Sequence, residues 1–177
     1  MRKFIFLTLA LFLFSFSNSF AEGVSTDSSR LDLDINQYQL PYPGILPDSP
    51  LYPIKAFRDR IVNFLITDIQ KKIKFDIMEA DKHLSAGLAL FKKNKVSLSE
   101  VSISKGENYS EDALSKIKEA KKERLNIEEA LRNFSLSLKV HKKTIAYLSQ
   151  KAPVEFKKSF DQLEKRVDGL IKQTASF

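Results

Sequence analysis

The chain has 177 residues, 43% hydrophobic and 29% charged, a balance usual for a globular domain of one core. With 29 basic and 22 acidic side chains its net charge is +7, which directs attention to anionic partners. It holds no cysteine, which excludes disulfides, thiolate metal sites, cysteine nucleophiles and a lipid-modified cysteine at an export cleavage site.

Residues 1–21 read as an export signal. Arg2 and Lys3 form a basic start, Phe4 to Phe16 an apolar run, and Ser19-Phe20-Ala21 a cleavage site with small residues at both recognised positions. The run is short for a membrane span, so cleavage near Ala21 is expected rather than anchoring. The protein is thus expected in the periplasm, at the cell surface or outside the cell. Removing Arg2 and Lys3 takes the charge from +7 to +5. Residues 22–53 hold Arg30 against Glu22, Asp27, Asp32, Asp34 and Asp48, or −4, so residues 54–177 carry +9. Residues 22–39 are expected to form a flexible to extended tether: the first nine are small and polar, and Leu31, Leu33 and Ile35 then alternate with aspartates.

Residues 40–53, LPYPGILPDSPLYP, contain five of the six prolines: Pro41, Pro43, Pro47, Pro50 and Pro53. Each fixes its own φ and biases the preceding residue toward extended backbone, so a stiff, polyproline-like strap is expected. Gly44 after Pro43 suits a type II turn, and Asp48 or Ser49 suits the cap of a helix led by Pro50. Leu40, Ile45, Leu46 and Leu51 add apolar area. The expectation is that Pro41, Tyr42, Pro43, Gly44, Pro47, Asp48, Ser49, Pro50, Leu51 and Tyr52 form a structural strap on the helices, with both tyrosine rings buried. The alternative is an exposed strap docking into a partner's aromatic groove.

Residues 41–55, PYPGILPDSPLYPIK, resemble the signature of a family of exported bacterial domains of unknown function, Pro-Tyr-Pro-Gly-x-x-Pro-Asp-Ser-Pro-Leu-Tyr-x-x-Lys followed by charged helices. The resemblance is specific over about 15 residues and diffuse beyond. It implies a helical domain and no assigned activity. Where the family often has a proline near the start of the second helix, this chain has Thr67-Asp68-Ile69.

A first helix is expected over about 53–66, with Ile54, Phe57, Ile61 and Phe64 on one face. Thr67 or Asp68 could cap a second helix, or the two could join as one bent helix. The second, about 68–94, carries Ile69, Ile73, Ile77, Ala80, Leu84, Leu88 and Phe91 at an average spacing near 3.67, an eleven-residue repeat. Gly87 inside it is tolerable where another helix packs close. Residues 95–109 are serine-rich and contain Gly106. Locally they read as loop, whereas the resemblance implies a helix running through; a third helix over about 98–124, strained around 104–108, is the favoured reading. Asn126 with Glu129 resembles a capping box opening a fourth helix, about 126–150. Its seam, Ile127, Leu131, Phe134, Leu138, His141, Ile145 and Leu148, alternates steps of 4 and 3. After Pro153 a fifth helix repeats the pattern with Phe156, Phe160, Leu163, Val167, Leu170 and Thr174, so the last two should form an antiparallel hairpin. The fold expected is an all-α bundle of about four or five amphipathic helices over residues 40–177, with an N-terminal proline-rich strap.

Catalytic constellations are not evident. His83 and His141 are the two histidines. Glu79 and His83, four apart, could share a metal, but a solvated helix pair is the expected state because nothing local completes a site. His141 interrupts an apolar seam, where a packed histidine is the plain reading and a pH-sensitive contact the sharper one. Phosphate loops, nucleophile elbows and metalloprotease motifs are absent from the sequence. The lysine pairs are mixed with acids and read as solvated faces, and nucleic acid is not an expected partner. The expectation is therefore an exported non-enzymatic helical protein, without metal or cofactor, that binds another protein at the bacterial cell envelope. The alternative is an electrostatic binder of anionic envelope surface, lipid or wall polymer, and an enzyme is a distant third. The oligomeric state is left open.

Overall fold

The computed structural model describes residues 38–177; the expected export signal and nearly all of the tether lie outside the described residues. Among the described residues there are five helices and no strand. They are α1 (Tyr52–Leu65), α2 (Ile69–Lys92), α3 (Val96–Lys122), α4 (Glu128–Lys151) and α5 (Val154–Thr174). The expected all-α bundle is what the chain forms. α2 to α5 make the bundle: α2 packs on α3, α4 on α5, α3 on α5 and α2 on α4. Short links join successive helices, which fixes antiparallel neighbours.

The break between the first two helices is real. Asp68 caps α2, its Oδ1 accepting from the Lys71 amide at 2.8 Å. At the start of α4, Ile127 takes the N-cap position, and Asn126 Oδ1 instead accepts from the Glu128 amide at 3.0 Å, an Asx turn in place of the expected capping box. Pro153 stands just before α5.

The core follows the predicted seams. Ile73, Leu84, Phe134, Leu138, Ile145, Leu148, Phe160 and Val167 are all but inaccessible. The α4–α5 hairpin places Phe134 and Leu138 in one core with Phe160, Leu163 and Val167.

α3 is one unbroken helix through the serine-rich stretch, with no left-handed residue at 104–108 where strain was expected. The reason is close approach to α2. A Cβ added at Gly87 would stand 2.3 Å from the Ile103 side chain, and one at Gly106 would stand 2.9 Å from the Ala80 carbonyl oxygen. Small residues let the backbones meet, and the serines satisfy themselves across the seam. Ser99 Oγ donates to the Gly87 carbonyl at 2.7 Å, and Ser102 Oγ to the His83 carbonyl at 3.0 Å. Serines that locally favour turns are here absorbed by helix–helix contact.

Candidate functional site

α1 lies on the bundle the wrong way round for an amphipathic helix. The expected apolar face exists, but it points to solvent: Ile54 is 68% exposed, Phe57 65% and Phe64 82%, with Ile61, Val62 and Leu65 also exposed. No residue of α1 is buried. The half-buried side is Tyr52, Lys55, Ala56, Asp59 and Asn63, largely polar. Polar contacts tie it down. Lys72 Nζ donates to the Asn63 carbonyl at 3.1 Å, and within α1 Lys55 pairs with Asp59 at 3.4 Å. The ammonium groups of Lys55 and Lys105 stand 5.7 and 5.8 Å from the Tyr52 ring centroid, within cation–π range.

The surface beneath explains the inversion, because it too is polar. Glu79 and His83, expected to form a solvated pair, are buried on α2. That correction has a plain cause: α2 is covered on more than its apolar stripe. The His83 ring stacks on Tyr109 with centroids 5.6 Å apart and planes 13° from parallel. Burial pushes the His83 imidazole down to about 3, and the neighbouring cations Lys105 and Lys55 add to this. Burial likewise raises the Tyr109 phenol to about 12, helped by Glu79 and Asp59. Glu79 pairs with Lys82 at 2.8 Å and Asp76 with Lys116 at 2.6 Å. Burial raises the Asp76 carboxyl, and the bond to Lys116 opposes it. The partners of Glu79 and Asp76 come from α2 and α3, and the inward side of α1 adds charges beside them, Lys55 and Asp59 next to His83 and Asp59 next to Tyr109, so the groove under α1 is polar on both sides.

A second polar cluster lies inside the bundle. His141 is completely buried, with Nδ1 2.7 Å from Glu107 Oε1 and Nε2 3.1 Å from Asp81 Oδ1. Three helices thus meet at one ring: α2 supplies Asp81, α3 Glu107 and α4 His141. Burial, the largest single influence, pushes the imidazole down, but Glu107 and Asp81 together outweigh it and hold it up at about 10. The two acids thus favour the protonated form of the ring. Ser137 Oγ donates to Asp81 Oδ1 at 2.6 Å and the Tyr38 hydroxyl to Oδ2 at 2.5 Å. Glu107 Oε2 and Ser110 Oγ are buried without a hydrogen-bond partner. Among the described residues no cluster of histidine and carboxylate side chains is arranged to hold a metal ion, and here the carboxylates bond the imidazole itself from its two nitrogens.

The strap residues are split. Pro41, Pro43, Gly44, Pro47, Asp48, Ser49 and Tyr52 are half-buried, whereas Tyr42, Pro50 and Leu51 are exposed. Tyr42, at 85% exposure, corrects the expectation that its ring is buried: its neighbours in the strap take the inward positions and none turns it down. Gly44 takes a φ of 68°, as a turn after Pro43 requires, and a second turn closes where the Ser49 amide donates to the Leu46 carbonyl at 3.0 Å. Neither Asp48 nor Ser49 is the helix cap, which is Leu51, although Ser49 Oγ accepts from the Leu51 amide at 3.3 Å. Asp48 instead bridges Lys93 at 3.2 Å and Lys95 at 2.8 Å, in the α2–α3 connection; the Lys95 bond is the main cause holding its carboxyl below the usual range. The strap and the His141 cluster are separate in the sequence, but Tyr38 just ahead of the strap joins them. The outward turn of α1, Tyr38, Asp81 and Glu107 were missed by sequence reasoning; a tyrosine before the strap gave no periodic signal.

The chain belongs to a family described as a domain of unknown function (DUF5667), whose pattern matches residues 44–168. No curated protein and no solved structure matches it. Among the described residues no helix is long and apolar enough to cross a membrane.

Proposed function

We propose that this chain is an exported, non-enzymatic helical protein that acts by binding at the bacterial cell envelope, with the outward face of α1 as its contact surface. The observation that carries the reading is the exposure of Phe57, Phe64 and their apolar neighbours on one side of a helix held down by its polar side. Isolated exposed apolar residues need no explanation, but a contiguous set on one helical face marks a contact surface. Export rests on the sequence of residues 1–21.

A partner protein with an apolar groove is the first occupant, as the helical pattern led one to expect. An anionic envelope surface is the second, and a specific observation favours it: the single acid of α1, Asp59, is half-buried and bonded to Lys55 and Arg58. The test is cosedimentation with an envelope fraction. The chain from Glu22, which retains every described helix, should pellet with the fraction, and Phe57→Ser/Phe64→Ser should not. If that double variant pellets like the wild type, α1 is not the contact surface.

A further inference from the structure

The exposed arc of α1 is broad, with one arginine in it and another at its edge. Placed at about 100° per residue, the exposed apolar side chains from Phe64 round through Phe57, Ile61, Ile54 and Leu65 to Val62 cover about 160° of the helix. Arg60, exposed, lies about 40° beyond Phe64 and sets a cation on that edge, whereas Lys55, about 20° beyond Val62, is turned under toward Asp59 and Tyr52. Arg58 falls within the arc; its guanidinium bonds Asp59 at 2.7 Å, and its long stem can lie along apolar surface while its head stays at the polar level. No acid projects from the arc.

We infer that α1 seats in the plane of an anionic lipid surface, its phenylalanines and aliphatic residues entering the acyl boundary and its cations meeting the headgroups. The inference rests on the reading of α1 as the contact surface. A helix docking into a protein groove presents a narrow ridge at i, i+3 or i+4, and i+7, whereas a wide apolar arc with exposed arginines in and beside it matches a helix lying in a membrane interface. Charge complementarity points the same way. Three cations against one acid on α1, within a region of +9, suit a negatively charged surface. A second copy of the chain fits worse, because face-to-face α1 helices would bring Arg58 and Arg60 against their own counterparts, with Asp59 already engaged. A wall polymer offers charge but no apolar depth for Phe57 and Phe64.

The test uses vesicles of phosphatidylglycerol and of phosphatidylcholine with the chain from Glu22. Binding to the anionic vesicles is expected, weakening from low to physiological salt, with much weaker binding to the neutral ones. Phe57→Ser and Phe64→Ser should each weaken it about tenfold or more. Both side chains face solvent, so the variants should melt with the wild type, and that melt is the check that they fold. The chain has no tryptophan, so Phe64→Trp supplies a lone reporter whose emission should shift to the blue on anionic vesicles. Failure to bind phosphatidylglycerol overturns the inference, as does binding that ignores the serine substitutions or is equal on neutral lipid. A dimer in solution whose dissociation follows Phe57→Ser would assign the arc to a second copy instead. Loss of envelope cosedimentation in the serine variants without vesicle binding would leave the contact surface standing and assign it to a protein. Cosedimentation insensitive to those variants would remove both.

Discussion

The imidazole of His141 stands 2.7 Å from Glu107 with neither side chain reached by solvent, and Asp81 closes the other nitrogen at 3.1 Å. A buried pair of this kind adds little net stability over an apolar replacement, but removing one partner strands the rest. His141→Leu should therefore cost roughly 3–5 kcal/mol, because Asp81 and Glu107, on its two nitrogens, lose their buried partner. Adding Glu107→Leu to it should return part of that loss, which urea unfolding of the two variants will show. A cost for His141→Leu below about 1 kcal/mol would mean that the imidazole carries no charge in the folded protein.

The two histidines should give the protein opposite pH limbs. His141 is raised to about 10, so its contribution is fully present below its unfolded value and is lost as pH rises from about 6.5 toward 10. His83 is lowered to about 3; as pH falls from about 6.5 toward 3, the unfolded chain takes up a proton that the folded one refuses, and stability falls. Each limb can reach a slope of about 1.4 kcal/mol per pH unit. Melting temperatures across this range should flatten on the acid side in His83→Phe and on the alkaline side in His141→Leu. If neither substitution alters its limb, these groups do not shift on folding.

Periodicity made most of the bundle legible. The seams of α2, α4 and α5 are period-matched, and most of their members are buried, with Ile69, Leu88, Phe91, Ile127, Leu131 and Phe156 half-buried at the edges of the core. What periodicity gives is a face, not what the face meets. In α1 the same pattern of Ile54, Phe57, Ile61 and Phe64 that would mark a core stripe faces solvent, because the polar surface around His83 and Tyr109 claims the other side. The partners of His141 were illegible for a different reason: they lie 34 and 60 positions away, on helices whose relative rotation decides which polar residue turns inward. The serines of α3 look like loop by local preference, and the acceptors of Ser99 and Ser102 are carbonyls of α2, out of reach of local pattern.

Two glycines should answer the same substitution with opposite signs. A methyl at Gly106 would press on the Ala80 carbonyl oxygen at 2.9 Å and on the His83 Cβ at 3.2 Å. Backbone cannot swing aside, so α2 and α3 must part, and Gly106→Ala should cost about 1–3 kcal/mol despite better helix propensity. At Gly169 nothing lies within 4 Å of the added methyl, so Gly169→Ala should stabilise by up to about 1 kcal/mol. Thermal melts of the two variants decide it; a stabilised Gly106→Ala would show that the two helices can separate at no cost.

The strap prediction turns on anchors at its two ends rather than on buried tyrosines. Tyr38 donates to Asp81 inside the ionic cluster, and Leu40 packs against the core. Asp48 holds Lys93 and Lys95 at the far end of α2. Prolines between these points restrict the unfolded chain, so ordering the segment loses less backbone entropy than ordering a common loop of its length. A chain beginning at Ile54 loses all of these contacts, and Asp81 loses one of its donors in a buried site, a group costly to leave under-bonded. It should melt well below a chain beginning at Leu31 and should bind an apolar dye more strongly. Tyr38→Phe in the longer chain should reproduce about 1–3 kcal/mol of that loss by removing the donor alone. Equal melting of the two chains would show that residues 31–53 do not support the bundle, and the exposed Tyr42 would then belong to a docking segment.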